Sequence, residues 1–425
     1  MSTSAILLSL SIALLAGLLL SRLAKLVHLP AVTAYLVAGI IVGPFLIGRI
    51  GVSGLGFNSL EQLDSFKIIC DLALGFIAFS IGNEFRLSQL KKIGKQATVI
   101  GIFQAIFTTI IVDAVLIAVH FINPELLPLS SAIVLGAVAT ATAPAATLMV
   151  VRQYKAKGPL TDILLPVVAL DDAVGLVVFA VSFGIASAMN TGHFDIISMV
   201  FNPFLEVLLS LLLGCVMGWL FTVCEKHFHS RSKRMAVSVT FVMMTVALSQ
   251  LKFEIENVNI AFSSLLSCMM LGTVFCNICD FSEELMDRAD RWVAPLLILF
   301  FVISGAELDL SVFSSIGFVL VGIIYIASRS LGKYFGAGIS AKIVKCDPHI
   351  VKYLGITLLP QAGVALGMAS QAMELGDESG AVVRSITLFA VLIYEIVGPF
   401  LTKIALTRAG DIKPHERQSA RGAKH

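Results

Sequence analysis

Two adjacent carboxylates, Asp171 and Asp172, lie in the run Leu170-Asp171-Asp172-Ala173-Val174-Gly175, roughly midway along an apolar stretch from Leu160 to Ala188. An ionised side chain at a bilayer centre costs at least ~2.5–3.5 kcal/mol on insertion scales, so acids placed there need a reason. A partly desolvated carboxylate keeps its proton more readily, and a cation that binds the same oxygens expels it. Competition for one site is the simplest physical basis for exchanging the two. Neighbours on a helix point ~100° apart, so one of these acids should face the ion and the other a neighbouring helix.

Helix breakers stand near the middle of two further apolar stretches, as Thr140-Ala141-Thr142-Ala143-Pro144 and Leu359-Pro360-Gln361-Ala362-Gly363. Proline removes an N–H and clashes with the preceding turn, while Thr or Gln supplies replacement oxygens. The pattern predicts two interrupted helices that cross at mid-membrane, with freed carbonyls and helix ends turned toward an ion. Glu307, Arg329 and Glu395 are further polar groups inside apolar runs. Arg329 and Glu395 are expected to pair with each other or with Glu307 in a supporting role. Asp71, Asp113 and Glu206 are left unassigned.

The elements that must position these groups follow from composition. The 425 residues are 57% hydrophobic and 14% charged, which no soluble globular surface matches, so lipid is the main solvent. A formal net charge of +2 gives no global field that points to nucleic acid. Spanning ~30 Å as helix takes ~20 apolar residues, and about thirteen such stretches occur. They lie near 4–21, 29–48, 66–85, 97–121, 129–151, 160–188, 199–223, 235–250, 258–279, 292–309, 313–336, 350–373 and 384–406. Ala5 to Leu20 reads as a retained first helix rather than a secretory signal, because Met1 to Ser4 has no basic residue.

The fold class is therefore an all-α membrane protein. A transmembrane domain is expected over 1–410, with a short cytoplasmic tail over 411–425. Lys and Arg cluster in alternate short loops, which places the N-terminus outside and the C-terminus in the cytoplasm of a multi-pass plasma-membrane protein. Internal similarity adds a repeat. Phe79 to Ser88 matches Val302 to Ser311, Leu135-Gly136 matches Leu354-Gly355, and Val174-Gly175 matches Val397-Gly398, which aligns Glu395 with Asp172. Seven spans separate the copies, an odd number, so the repeat is inverted, with halves near 4–188 and 235–406 and a linker helix near 199–223.

In this order the residues resemble the bacterial monovalent cation:proton antiporter superfamily, in its second branch. The early Leu29-Pro30 with Gly39, Gly43 and Pro44 adds to the likeness, which covers the membrane domain. The resemblance implies that Asp172 is the cation and proton ligand, with Asp171, Thr140 and Thr142 beside it. Pro144, Pro360, Gln361 and Gly363 would mark the broken helices. It further implies a homodimer, a moving core of spans 3–6 and 10–13, and exchange of a monovalent cation, Na+ before K+, for H+. No enzyme activity and no cofactor are implied; the partners are the lipid bilayer and small cations, not nucleic acid.

Two departures from the family pattern stand out. Electrogenic members carry a Lys on the tenth span, yet no Lys or Arg occurs from Val293 to Ser328, and Gln361-Ala362-Gly363 stands where Arg-Gly-Glu is usual. These departures imply an unpartnered Asp171 and electroneutral exchange. The seven Cys are scattered, and His227 and His229 sit in a basic loop, so a metal site is not expected. An aspartyl protease would draw its two acids from different helices, and a channel would need a selectivity constriction. The rival function is a sodium-coupled symporter of an organic anion on the same general fold.

Overall fold

A computed structural model describes residues 3–26, 29–52, 54–83, 85–191, 202–228, 230–251, 253–255, 258–260, 262–279, 282–308 and 316–412. The chain runs through α1 (Thr3–Leu26), α2 (Ala31–Val42), α3 (Leu60–Asp64), α4 (Lys67–Asn83), α5 (Leu87–Ile122), α6 (Leu129–Val138), α7 (Pro144–Gln153) and α8 (Pro159–Thr191). Next come α9 (Asn202–Glu225), α10 (Arg231–Ser249), the short antiparallel pair β1 (Phe253–Ile255) and β2 (Val258–Ile260), α11 (Ser264–Ile278) and α12 (Ser282–Glu307). The last elements are α13 (Ile316–Ile343), α14 (Pro348–Thr357), α15 (Gly363–Gln371) and α16 (Asp377–Ala409). Among the described residues, seven helical stretches are long and apolar enough to cross a membrane.

Local sequence explains where these helices start and stop. Pro144 opens α7 and Pro348 opens α14, where a missing N–H is harmless. Asp347 caps α14 by accepting from the His349 N–H at 2.8 Å. At the other end of the chain, α16 stops where Gly410 turns left-handed at φ 88. The stretch expected as one span over 258–279 is corrected at its start. Residues 258–260 are a strand, and helix begins at Ser264, after the cap in which Ser263 Oγ accepts from the Leu266 N–H.

The helices form two bodies. In the first, α12 lies on α2 and α1, and α4 lies on α11, α12 and α10; α9 packs on α11. The second is built from α5, α6, α7, α8, α13, α14, α15 and α16. One apolar core lies around Phe76, Phe79, Phe221 and Phe275 of the first body and reaches Leu148 of α7 and Leu165 of α8, and another lies around Val134, Leu135, Tyr325 and Val383 of the second. The expected core of spans 3–6 and 10–13 is thus corrected, because α4 and α12, the third and tenth stretches, belong to the first body. Their apolar faces meet α2 and α11 instead. Of the matched repeat residues, Glu84, Asp309, Leu310 and Ser311 lie outside the described residues, as do His229 and the tail beyond 412.

Glycine sets the closest helix approaches in the first body. A methyl on Gly39 would fall on the Val302 carbonyl, and one on Gly305 would fall on the Leu36 carbonyl, so α2 and α12 meet backbone to backbone. Gly82 and Gly272 form a similar reciprocal contact between α4 and α11. Valine at Gly39 is expected to lower the thermal midpoint in detergent, with overpacking costing about 1–3 kcal/mol. Gly367→Ala, where a methyl meets open space, should leave the midpoint unmoved.

Candidate functional site

The two broken helices cross within the second body. Helix α6 ends at Val138 and α7 begins at Pro144; α14 ends at Thr357 and α15 begins at Gly363. Between these ends the two segments touch, with the Ala143 N–H donating to the Pro360 carbonyl at 2.8 Å. Gln361 Nε2 donates to the Val138 carbonyl at 2.9 Å and to Tyr325 Oη at 3.1 Å. Each bond satisfies a backbone or side-chain group that lipid cannot serve.

Helix α13 supplies the rest from one face. Arg329 is fully buried and donates three bonds, from Nε to the Ala139 carbonyl at 2.9 Å, Nη1 to Leu359 at 2.8 Å and Nη2 to Ala141 at 2.6 Å. Its guanidinium lies 4.5 Å from the centre of the Tyr394 ring. The expected pairing of Arg329 with Glu395 or Glu307 is therefore corrected, because the planar five-donor fork is occupied by carbonyls of both broken helices. One turn on, Lys333 Nζ donates to the Thr140 carbonyl at 2.6 Å, to Thr142 Oγ1 at 3.0 Å and to Asp171 Oδ2 at 2.7 Å.

Lys333 overturns the expectation that Asp171 lacks a basic partner. The ion pair is fully buried on both sides. The stretch from Val293 to Ser328 has no cation, and helix α13 carries it one turn past Arg329. Four-residue spacing of two basic residues in an apolar helix was the signal that could have found it. Gln104, a lone amide on apolar α5, was also missed; its Nε2 donates to Asp171 Oδ1. Thr142 Oγ1 donates to Asp171 Oδ2 at 2.6 Å, so both oxygens of this acid are engaged.

Asp172 differs in every respect. It is 3% exposed, and neither of its oxygens has a hydrogen-bond partner. The carboxamide oxygens of Gln361 and Gln104 are likewise buried and unpartnered. Bare acceptors of this kind are what a hard cation would bind. Thr140 lies close to Gly175 of α8 but turns its hydroxyl back to the Ala137 carbonyl at 2.7 Å. Pro360 abuts Gly398 of α16, and Gly363 borders open space. Glu307 stands on α12 in the other body, and Glu395 Oε2 has no partner. Asp71 accepts from Gln250, and Asp113 lies against Gly136.

The sodium/hydrogen exchanger, transmembrane, family matches residues 10–408. The Na(+)/H(+) antiporter NhaS4 of Synechocystis sp. (strain ATCC 27184 / PCC 6803 / Kazusa) is 22% identical over 402 residues, covering 92% of this chain and 94% of that protein. The high-affinity Na(+)/H(+) antiporter NhaS3 of the same organism is 22% identical over 432 residues, covering 94% and 89%. Among solved structures, the sodium proton antiporter MjNhaP1 from Methanocaldococcus jannaschii is similar with a TM-score of 0.69 at 16% identity, covering 94% of this chain and 97% of that one. At that identity the likeness is one of fold.

Removing one member of the buried pair strands the other. Lys333→Met should lower the stability of the purified protein by about 3–5 kcal/mol. The Asp171→Asn/Lys333→Met double variant should recover part of that loss rather than add to it, as thermal unfolding in detergent would record.

Proposed function

Because the chain belongs to the transmembrane sodium/hydrogen exchanger family, we propose that it is a secondary antiporter exchanging a monovalent cation, Na+ first and K+ second, for protons at Asp172. The observation that carries this reading is the contrast between two neighbouring acids. Asp171 is saturated by Lys333, Thr142 and Gln104, whereas Asp172 is buried with both oxygens bare. A carboxylate so placed needs a proton or a cation, and it cannot hold both on the same oxygens. The unpartnered oxygens of Gln361 and Gln104, with the broken-helix backbone, would complete the cation's shell.

Alternating access is supported by how the two bodies meet. On the α7 side, Leu148 is packed between Phe76 of α4 and Leu297 and Phe301 of α12, leaving a cavity of about 10 Å³, room for one water. At α15, Gly363 and Gly367 have open space where neighbours would be. Movement of the second body against the first would open and close the approaches to the crossing. We take the chain to work as a plasma-membrane homodimer of about thirteen spans in an inverted repeat, N-terminus outside.

Electroneutral exchange was expected on the ground that Asp171 had no basic partner, and Lys333 removes that ground. Two unit charges ~4 Å apart repel by about 4 kcal/mol at an effective dielectric of ~20. That is about a thousandfold in an equilibrium. A cation arriving between the carboxylates therefore competes with the ammonium for Asp171, and Lys333 can surrender a second proton. The reading becomes two protons per cation.

Proteoliposomes with an imposed pH gradient test both parts. Adding Na+ or K+ should dissipate the gradient in the native protein and not in Asp172→Asn. If no cation moves protons while the protein is folded, organic-anion symport takes its place. A potential-sensitive dye should respond to the native protein and lose that response in Lys333→Met; a silent dye on the active native protein returns the stoichiometry to one proton.

A further inference from the structure

Glu395 lies in the middle of α16 and is 5% exposed, with Oε2 lacking any hydrogen-bond partner. Internal similarity aligns it with Asp172. Its neighbours in sequence fix where it stands. Tyr394 Oη donates to the Ile326 carbonyl at 2.8 Å and thereby binds α13 of its own body, while the Ile396 carbonyl accepts from Thr33 Oγ1 of α2 at 3.2 Å. Glu395 is thus on the boundary between the two bodies, at the level where α16 touches α2.

No cation is available to it there. Arg329 is engaged by three carbonyls, and Lys333 by Thr140, Thr142 and Asp171. Among the other elements against α16, helices α6 and α15 have no ionisable side chain, α2 has only Tyr35, and the short turn at Ala372–Leu375 adds an acid, Glu374. On α16 itself Arg384 is exposed and Lys403 lies over the Tyr154 ring. Helix α7 has only Arg152 in its last turn, and α14 has His349, Lys352 and Tyr353 in its first turns. Helix α8 contributes Asp162, Asp171 and Asp172, acids again.

A buried carboxyl on this boundary, with no counter-ion, is stable there as the neutral acid. We propose that Glu395 is a second proton-carrying group, separate from the Asp172 site, that rides on the moving body and gives up its proton when movement of α16 against α2 opens it to water. The O–H bond breaks heterolytically, the proton goes to water as hydronium, and Glu395 is left as carboxylate until the return movement. This role deepens the antiport reading and rests on it. Protonation of Glu395 in the resting protein does not, and can be measured without transport.

Difference infrared spectra of the purified full chain in lipid nanodiscs, titrated across about pH 5–9, should show the carbonyl stretch of a protonated carboxyl. Glu395→Gln should remove one component of that band, Asp172→Asn should leave that component in place while removing its own, and Glu395→Asp should return the first at a shifted frequency. In proteoliposomes Glu395→Gln should move one flank of the pH–rate profile by about one unit with the cation KM unchanged within about twofold, and Glu395→Asp should restore the flank. A band indifferent to Glu395, or a Glu395→Gln profile that superimposes on the native one, overturns the proposal. Should transport fail in every variant including the native chain, the antiport reading falls, while the infrared band still decides whether Glu395 holds a proton.

Discussion

Breaking a helix inside a membrane frees carbonyls that only protein can satisfy, and the rest of this site depends on how that is done. Arg329 meets the requirement by bonding Ala139 and Ala141 from one broken helix and Leu359 from the other. Hydrogen bonds to a charged group contribute roughly 1.5–3 kcal/mol each. Three of them converge on one guanidinium that never leaves its charged state. The crossing is thereby held at a fixed geometry, and the next turn of the same helix aims Lys333 at Asp171. Because that acid is saturated, its neighbour Asp172 is left as the one with bare oxygens.

Every bond to Asp171 comes from the second body, from α5, the α6–α7 break and α13. The site can therefore travel with that body intact. Its boundary with the first body lies where α7 meets α4 and α12, and where α16 meets α2. The first body is locked by backbone contacts at Gly39 with Gly305 and at Gly82 with Gly272, which small residues alone permit.

Much of this was legible in the chain. Helix positions followed from apolar length, because lipid punishes any other backbone arrangement, and α8 at Pro159–Thr191 matches a stretch read near 160–188. The breaks at Thr140 to Pro144 and Pro360 to Gly363 were legible because proline cannot continue the hydrogen-bond ladder. What failed was partnership. Arg329 was assigned a carboxylate because charges attract, yet freed carbonyls, which carry no signature in sequence, claimed it first. Lys333 was not legible as the partner of Asp171 because it lies beyond Arg329 on α13, and distance along the chain does not report which turn faces Asp171. The division into bodies also escaped, since it depends on which faces of α4 and α12 find glycine opposite them.

The central claim is that proton and cation compete for the bare carboxylate of Asp172. Counting protons released as Na+ or K+ is titrated into the purified protein, by calorimetry in buffers of different ionisation enthalpy, tests it without any membrane gradient. The account predicts release of protons with each cation bound in the native chain and no cation-linked release in Asp172→Asn. Cation binding that releases no proton, or that releases the same number with Asp172 replaced, would contradict it.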